Sequence, residues 1–138
     1  RGTTKLETTP EKLEGKKIAV AKGSAHEAYL RAFFPGASIQ TFETPAQARE
    51  ALMTHAADLV FGGGIGLIFW INGTLSKECC ELAGGPFYDP KYFGDGIGIA
   101  VAKSDGALKA LINQALRRVR EAGRYEELLL PYFPNRLY

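Results

Sequence analysis

Lys17-Ile18-Ala19-Val20-Ala21-Lys22-Gly23-Ser24 is the stretch on which the fold turns. A short apolar, β-compatible run leads directly into a glycine and a serine, and polar and apolar residues at helical spacing follow. The order reads as strand, tight turn, helix. Ser24 stands at the N-cap, where a hydroxyl accepts from the free N–H groups of a first turn. Ala25, Ala28, Tyr29, Ala32 and Phe33 fall at three-and-four spacing as the expected apolar stripe, and Pro35-Gly36 ends the helix.

Moving outward, the same unit repeats. Ser38-Ile39-Gln40-Thr41-Phe42 alternates like a strand, and Thr44-Pro45 opens a helix with Thr44 at the cap, Pro45 at the first position and Ala48, Leu52 and Met53 as its stripe. Leu59-Val60-Phe61 is a third buried-type strand ending in Gly62-Gly63-Gly64, and Ile65 to Ile71 reads as a helix closed by Asn72-Gly73. Strands alternating with helices favour a parallel sheet with helices on both faces, because each strand must bury both sides. The expected fold is therefore α/β: a three-layer open sheet, mostly parallel.

The texture changes from Gly84 to Gly98, with five Gly and two Pro in fifteen residues, which marks a crossing or hinge. Beyond it, Ile97-Gly98-Ile99-Ala100-Val101-Ala102 is an expected strand. Asp105 caps a helix to about Ala122, with Leu108, Leu111, Ile112, Ala115, Leu116 and Val119 on one face. Gly123 stops it, and a last amphipathic turn or two, Tyr125 to Leu130, precedes Pro131-Tyr132-Phe133-Pro134. The expected organisation is residues 1–95 as one unit and residues 96–138 as a returning strand with C-terminal helices.

Composition bounds the function. A chain of 138 residues, 46% hydrophobic and 23% charged, suits a globular domain of ordinary size. With 17 Lys plus Arg against 15 Asp plus Glu, the net charge of +2 gives no reason to expect nucleic acid or an anionic membrane as partner. No apolar run approaches the roughly 18 residues needed to cross a bilayer, and Arg1-Gly2-Thr3-Thr4-Lys5 has no signal-peptide core. Cys79 and Cys80 are adjacent and lack metal-ligand spacing; they read as two ordinary thiols, a mutual disulfide being strained.

Among residues that could carry chemistry, the Gly23-Ser24 turn ranks first. A helix N-terminus offers free N–H groups and a positive dipole end to an anion such as a carboxylate. Ser24 as a simple cap is the competing reading. Gly62-Gly63-Gly64 lies on the rim where open α/β sheets bind ligands, though three glycines also suit a loop packed close to neighbouring backbone. Spacing excludes a P-loop and a dinucleotide fingerprint. His26, Glu27 and His55 have no nucleophile or metal-ligand spacing beside them and read as solvated helix surface, with His26 the exception to watch because it lies in the first turn. Arg117, Arg118, Arg120 and Arg124 read as a solvated helix face.

Leu13-Glu14-Gly15-Lys16-Lys17-Ile18-Ala19-Val20 followed by Gly23-Ser24-Ala25-His26-Glu27 resembles the second-lobe opening of the polar amino-acid solute-binding proteins of bacterial ABC transporters. Ala57-Asp58-Leu59-Val60-Phe61 is similar to that family's third lobe-two strand. Gly96-Ile97-Gly98-Ile99-Ala100-Val101 is similar to its return through the hinge, and Leu108 to Tyr125 to its C-terminal helix and Gly-Xaa-Tyr turn. The resemblance covers about residues 10–134. It implies a lobe of the type II periplasmic binding protein, located in the periplasm, that takes a small amino acid or carboxylate without chemistry or cofactor and serves an ABC permease in the complete protein. The implied ligand-binding residues are Gly23, Ser24, Ala25, Gly62 and Gly63, with the Ser24 hydroxyl receiving the carboxylate.

Two departures accompany the resemblance. Gly63 stands where the family commonly has an aspartate for the α-ammonium, and no first lobe has a counterpart ahead of Arg1. A lone lobe buries a ligand from one side and is expected to bind weakly. Gly96 to Lys103 is expected either to fill the resulting gap in the sheet or to be exchanged with a neighbour in a strand-swapped homodimer. The competing function is an enzyme resembling a cyclohexadienyl dehydratase, since fold does not fix function. It needs a carboxylate or histidine at the rim, and Gly62-Gly63-Gly64 supplies none. The effector domain of a transcription regulator is a third class, and no helix-turn-helix segment accompanies it here.

Overall fold

A computed structural model describes residues 6–131. The chain divides between Asp95 and Gly96 into two compact units. The expected Arg1-to-Lys5 lead and the Tyr132-Phe133-Pro134 tail lie outside the described residues.

The first unit runs β1 (Lys17–Ala21), α1 (Ala25–Phe33), β2 (Ser38–Phe42), α2 (Pro45–Met53), β3 (Leu59–Val60), α3 (Gly64–Asn72), a 3₁₀ turn (Thr74–Ser76) and α4 (Pro90–Phe93). The three strands form a parallel sheet in the order β2-β1-β3, with Ile18 opposite both Ile39 and Leu59. Strand residues alternate between faces, so β1 serves two cores at once. Ile18 and Val20 pack with Leu13, Leu30 and Phe34 beneath α1. Ala19 points the other way and packs with Ala48, Ala51 and Ala57 beneath α2. This is the expected α/β sandwich of helix, sheet and helix.

Local chemistry fixes the ends. Thr44 and Gln47 close a capping box, the Gln47 N–H donating to Thr44 Oγ1 at 3.2 Å and the Thr44 N–H to Gln47 Oε1 at 3.1 Å, with Pro45 in the first turn. β3 is shorter than expected, yet the Phe61 N–H still donates to the Ala19 carbonyl at 2.9 Å, so its pairing runs one residue further. Asp58 ties the opposite end of the sheet, its Oδ2 accepting from the Lys17 N–H at 2.8 Å.

The inward face of α1 differs from the expected stripe. Ala25, Ala28, Ala32 and Phe33 are exposed; Leu30 is buried and His26 and Tyr29 are half-buried. His26, Leu30 and Phe34 follow a spacing of four that puts a polar residue on the covered face, which is why apolar residues alone did not locate it. The Gly84–Gly98 stretch also contains an unexpected single-turn helix, α4, capped by Asp89 Oδ1 accepting from the Lys91 N–H at 2.9 Å.

The reading of Cys79 and Cys80 as two thiols is corrected: they are joined in a disulfide between adjacent residues. They lie outside any helix or strand, directly after Lys77 and Glu78 in left-handed conformation at φ 50° and 54°. A backbone free of ladder or helix constraints can bend to bring neighbouring sulfurs together.

In the second unit α5 (Gly106–Glu121) and α6 (Arg124–Leu129) follow each other. Asp105 Oδ1 accepts from the Leu108 N–H at 2.9 Å, and Gly123 breaks the helix at φ 69°. The expected strand at residues 97–102 does not form. A strand exists only through a ladder, and this apolar run stays unladdered with Ile97 and Ile99 exposed at 89% and 64%. The apolar face of α5 is likewise little covered: Leu108, Leu111 and Leu116 are exposed, and Ile112 and Val119 half-buried.

Candidate functional site

Because β1 and β3 are parallel neighbours, the turns that follow them emerge at one rim of the sheet. The first turn is built by Gly23 at φ 68°, a conformation glycine adopts without steric cost, and by Ser24 in extended geometry as N-cap of α1. The Ser24 hydroxyl has its proton already committed. It donates to the Ala21 carbonyl at 2.6 Å and accepts from the Glu27 N–H at 3.2 Å. Glu27 bends back, its Oε2 accepting from the Gly23 N–H at 2.7 Å and its Oε1 from Arg31 Nε at 2.8 Å. The Gly23 N–H and then Arg31 hold the Glu27 carboxyl below its ordinary pKa.

Two donors remain. The N–H groups of Ala25 and His26, the first two positions of α1, meet no acceptor among the described residues. Across the rim, α3 starts at Gly64 with Gly63 as an N-cap that has no side chain to offer. A methyl group added at Gly62, Gly63 or Gly64 would meet nothing within 4 Å. Close packing therefore does not account for the three glycines; they leave the rim bare.

Between the two turns lies His26. Its ring packs against Phe61, the residue before Gly62, at 5.6 Å between centroids, and against Phe93 of α4 at 5.1 Å. Burial among these rings lowers its pKa from the ordinary imidazole value. The expectation of a solvated His26 is thus corrected, and Glu27 too is built into the turn rather than loose on the surface. His55 is exposed at the far end of α2, as expected. Sequence reading missed the role of Glu27, although Ser24-Ala25-His26-Glu27 carries the capping-box pattern in its first and last residues.

Other groups do not converge here. Asp58 serves the opposite end of the sheet, Asp95 is exposed, and Arg124 pairs with Glu127 at 2.7 Å on the surface of the second unit. Among the described residues there is no cluster of three or more His, Cys, Asp or Glu able to hold a metal ion. None of the described helices is long and apolar enough to cross a membrane.

No family model matches the chain. It is 30% identical over 128 residues to the L-arginine-binding protein of Pseudomonas aeruginosa, covering 91% of this chain and 49% of that protein. The lysine/arginine/ornithine-binding periplasmic protein of Escherichia coli is 27% identical over 96% of this chain and 52% of its own length. A glutamine-binding protein of a Bacillus subtilis ABC transporter is 31% identical over 91% of this chain and 43% of its own length. Among solved structures, a Salmonella typhimurium periplasmic binding protein with high arginine specificity superposes with a TM-score of 0.64 at 26% identity, over 93% of this chain and 56% of that one. An ancestral arginine-binding protein bound to glutamine gives a TM-score of 0.67 at 23% identity, which speaks for the fold alone. The chain spans about half the length of the curated relatives it matches. Its homologues are the amino-acid-binding proteins of ABC transporters, and it shares the α/β fold of periplasmic binding proteins over one half of their length.

Proposed function

We propose that this chain is the second, ligand-receiving lobe with its C-terminal helices of a periplasmic amino-acid-binding protein, that it hands solute to an ABC permease, and that it performs no chemistry. The observation carrying this reading is the rim. Two parallel βα turns bring the unpartnered N–H groups of Ala25 and His26 beside the bare Gly62-Gly63 backbone. Such a helix N-terminus receives a carboxylate. The arginine- and glutamine-binding relatives support an amino acid as its bearer. Ser24 supports the site from within, its hydroxyl holding the turn that presents the N–H groups.

The test is a thermal-shift series on the whole chain with L-arginine, L-glutamine and small carboxylates at millimolar concentration, because a solute that binds only the folded form raises its midpoint. A midpoint raised by an amino acid is the expected result; no shift with any of them refutes the reading. Turnover of prephenate or arogenate, lost in Glu27→Gln or His26→Ala, would put a dehydratase in its place.

Self-association by strand exchange is part of the same proposal. The unladdered run at residues 97–102, with Ile97 and Ile99 exposed, supports it. A strictly monomeric mass by light scattering would remove it.

A further inference from the structure

We propose that the His26 side chain is a selectivity-determining ligand contact, accepting a hydrogen bond from an ammonium or guanidinium N–H of the bound solute. This rests on the reading of the rim as the solute site and names the group that reads the solute's cation.

Most polar side chains at the rim are already held by neighbours. Ser24 Oγ is engaged on both sides, by the Ala21 carbonyl at 2.6 Å and the Glu27 N–H at 3.2 Å. Glu27 is engaged by Gly23 and Arg31, and Lys22 Nζ by Glu43 Oε1 at 2.8 Å. Gly62, Gly63 and Gly64 contribute no side chain. The ring nitrogens of His26 have no hydrogen-bond partner among the described residues, while the ring itself is fixed by Phe61 and Phe93. Phe61 belongs to the strand that leads to Gly62, so His26 bridges the two turns. A solute whose carboxylate meets the Ala25 and His26 N–H groups brings its cationic end within reach of this imidazole.

A neutral imidazole offers one acceptor nitrogen, whereas an imidazolium offers none and repels a cation. Desolvation by the surrounding rings favours the neutral form. The titratable and charged groups on the packed elements are Glu27 and Arg31, paired with each other, and Tyr29 on α1. On α4 they are Asp89, which caps it, and Lys91 over the Tyr92 ring at 5.5 Å. Leu59 of β3 and Phe61 after it face this side and carry no charge, while Asp58 ties the opposite end of the sheet. Binding of a cationic solute should therefore weaken as His26 takes up a proton.

The experiment uses NMR of the imidazole resonances. The chain has two histidines, so His55→Gln isolates His26. Saturating L-arginine is expected to lower the His26 titration midpoint further, because the bound cation holds the ring neutral. By calorimetry, His26→Phe keeps a ring against Phe61 and Phe93 yet should weaken L-arginine about tenfold, as expected for loss of one hydrogen bond to a charged group. Propionate, a carboxylate with no cation, should change by less than about twofold, because it makes no such bond. L-arginine that binds without moving the midpoint, or equally well to His26→Phe, overturns the assignment while leaving the rim as the solute site. Failure of L-arginine, L-glutamine and propionate to bind the unaltered chain overturns both.

Discussion

Replacing Ser24 by alanine removes two hydrogen bonds at once. The Glu27 N–H loses its acceptor and the Ala21 carbonyl its donor. An N-cap of this kind contributes about 1 kcal/mol, and a second intramolecular hydrogen bond about 1 more. Water reaches the half-buried site and offsets part of this, so a loss of about 1–2 kcal/mol is expected. With a urea dependence of about 2 kcal/mol per molar, the unfolding midpoint should fall by about 0.5–1 M. The single tryptophan, Trp70, is 8% exposed on α3 and reports unfolding of the first unit by fluorescence. Ser24→Thr keeps the oxygen and should stay within about 0.5 kcal/mol of the unaltered chain. A Ser24→Ala midpoint within about 0.2 M of the original would refute the reasoning, since an unused hydroxyl costs nothing to remove. The result also bears on ligand tests. Any binding defect of Ser24→Ala must be judged by the ligand-induced shift from the variant's own midpoint.

Leu30→Ala empties the space between α1 and β1, where Leu30 is 2% exposed against Leu13, Ile18, Val20 and Phe34, and should cost about 3 kcal/mol in the same urea assay. The pH dependence should show two separate losses. His26 has a folded pKa below its unfolded value of about 6.5, so the unfolded chain takes up a proton first and stability declines as pH falls below that value. Glu27, also lowered, contributes stability above 4.5 that disappears as pH falls through its folded value. In urea midpoints measured from about pH 8 to about pH 3, a range that runs below the ordinary carboxylate value, His26→Phe should abolish the first decline and keep the second.

The sheet was legible because its signals were local. Lys17–Ala21 and Ser38–Phe42 have the expected bounds, and Ser24, Thr44 and Asp105 each cap a helix as their hydroxyl or carboxylate chemistry dictates. Errors arose where structure depends on distant neighbours. Ile97 to Ala102 has strand composition, but composition supplies no ladder partner. His26 lies inward because Phe61 and Phe93, far off in sequence, wall the space above α1. At the rim, the glycines and the α1 N-terminus could be located from spacing. Which of their polar groups were already engaged depended on side-chain geometry that spacing does not encode.

The two faces of β1 leave the molecule with unequal freedom to change. Toward α1 the filling is leucine, isoleucine, valine and phenylalanine, residues that can trade volume among themselves and resettle. Toward α2 the buried filling is four alanines, Ala19, Ala48, Ala51 and Ala57. There Phe42 and Val60 pack against the alanines as partly buried neighbours, and a larger side chain would have to displace them. The sheet thus has one side that can exchange volume and one that can only gain it. Sequence drift and engineering alike can trade volume within the α1 layer, whereas the four alanines toward α2 can only grow, and each gain there has to come from Phe42 or Val60.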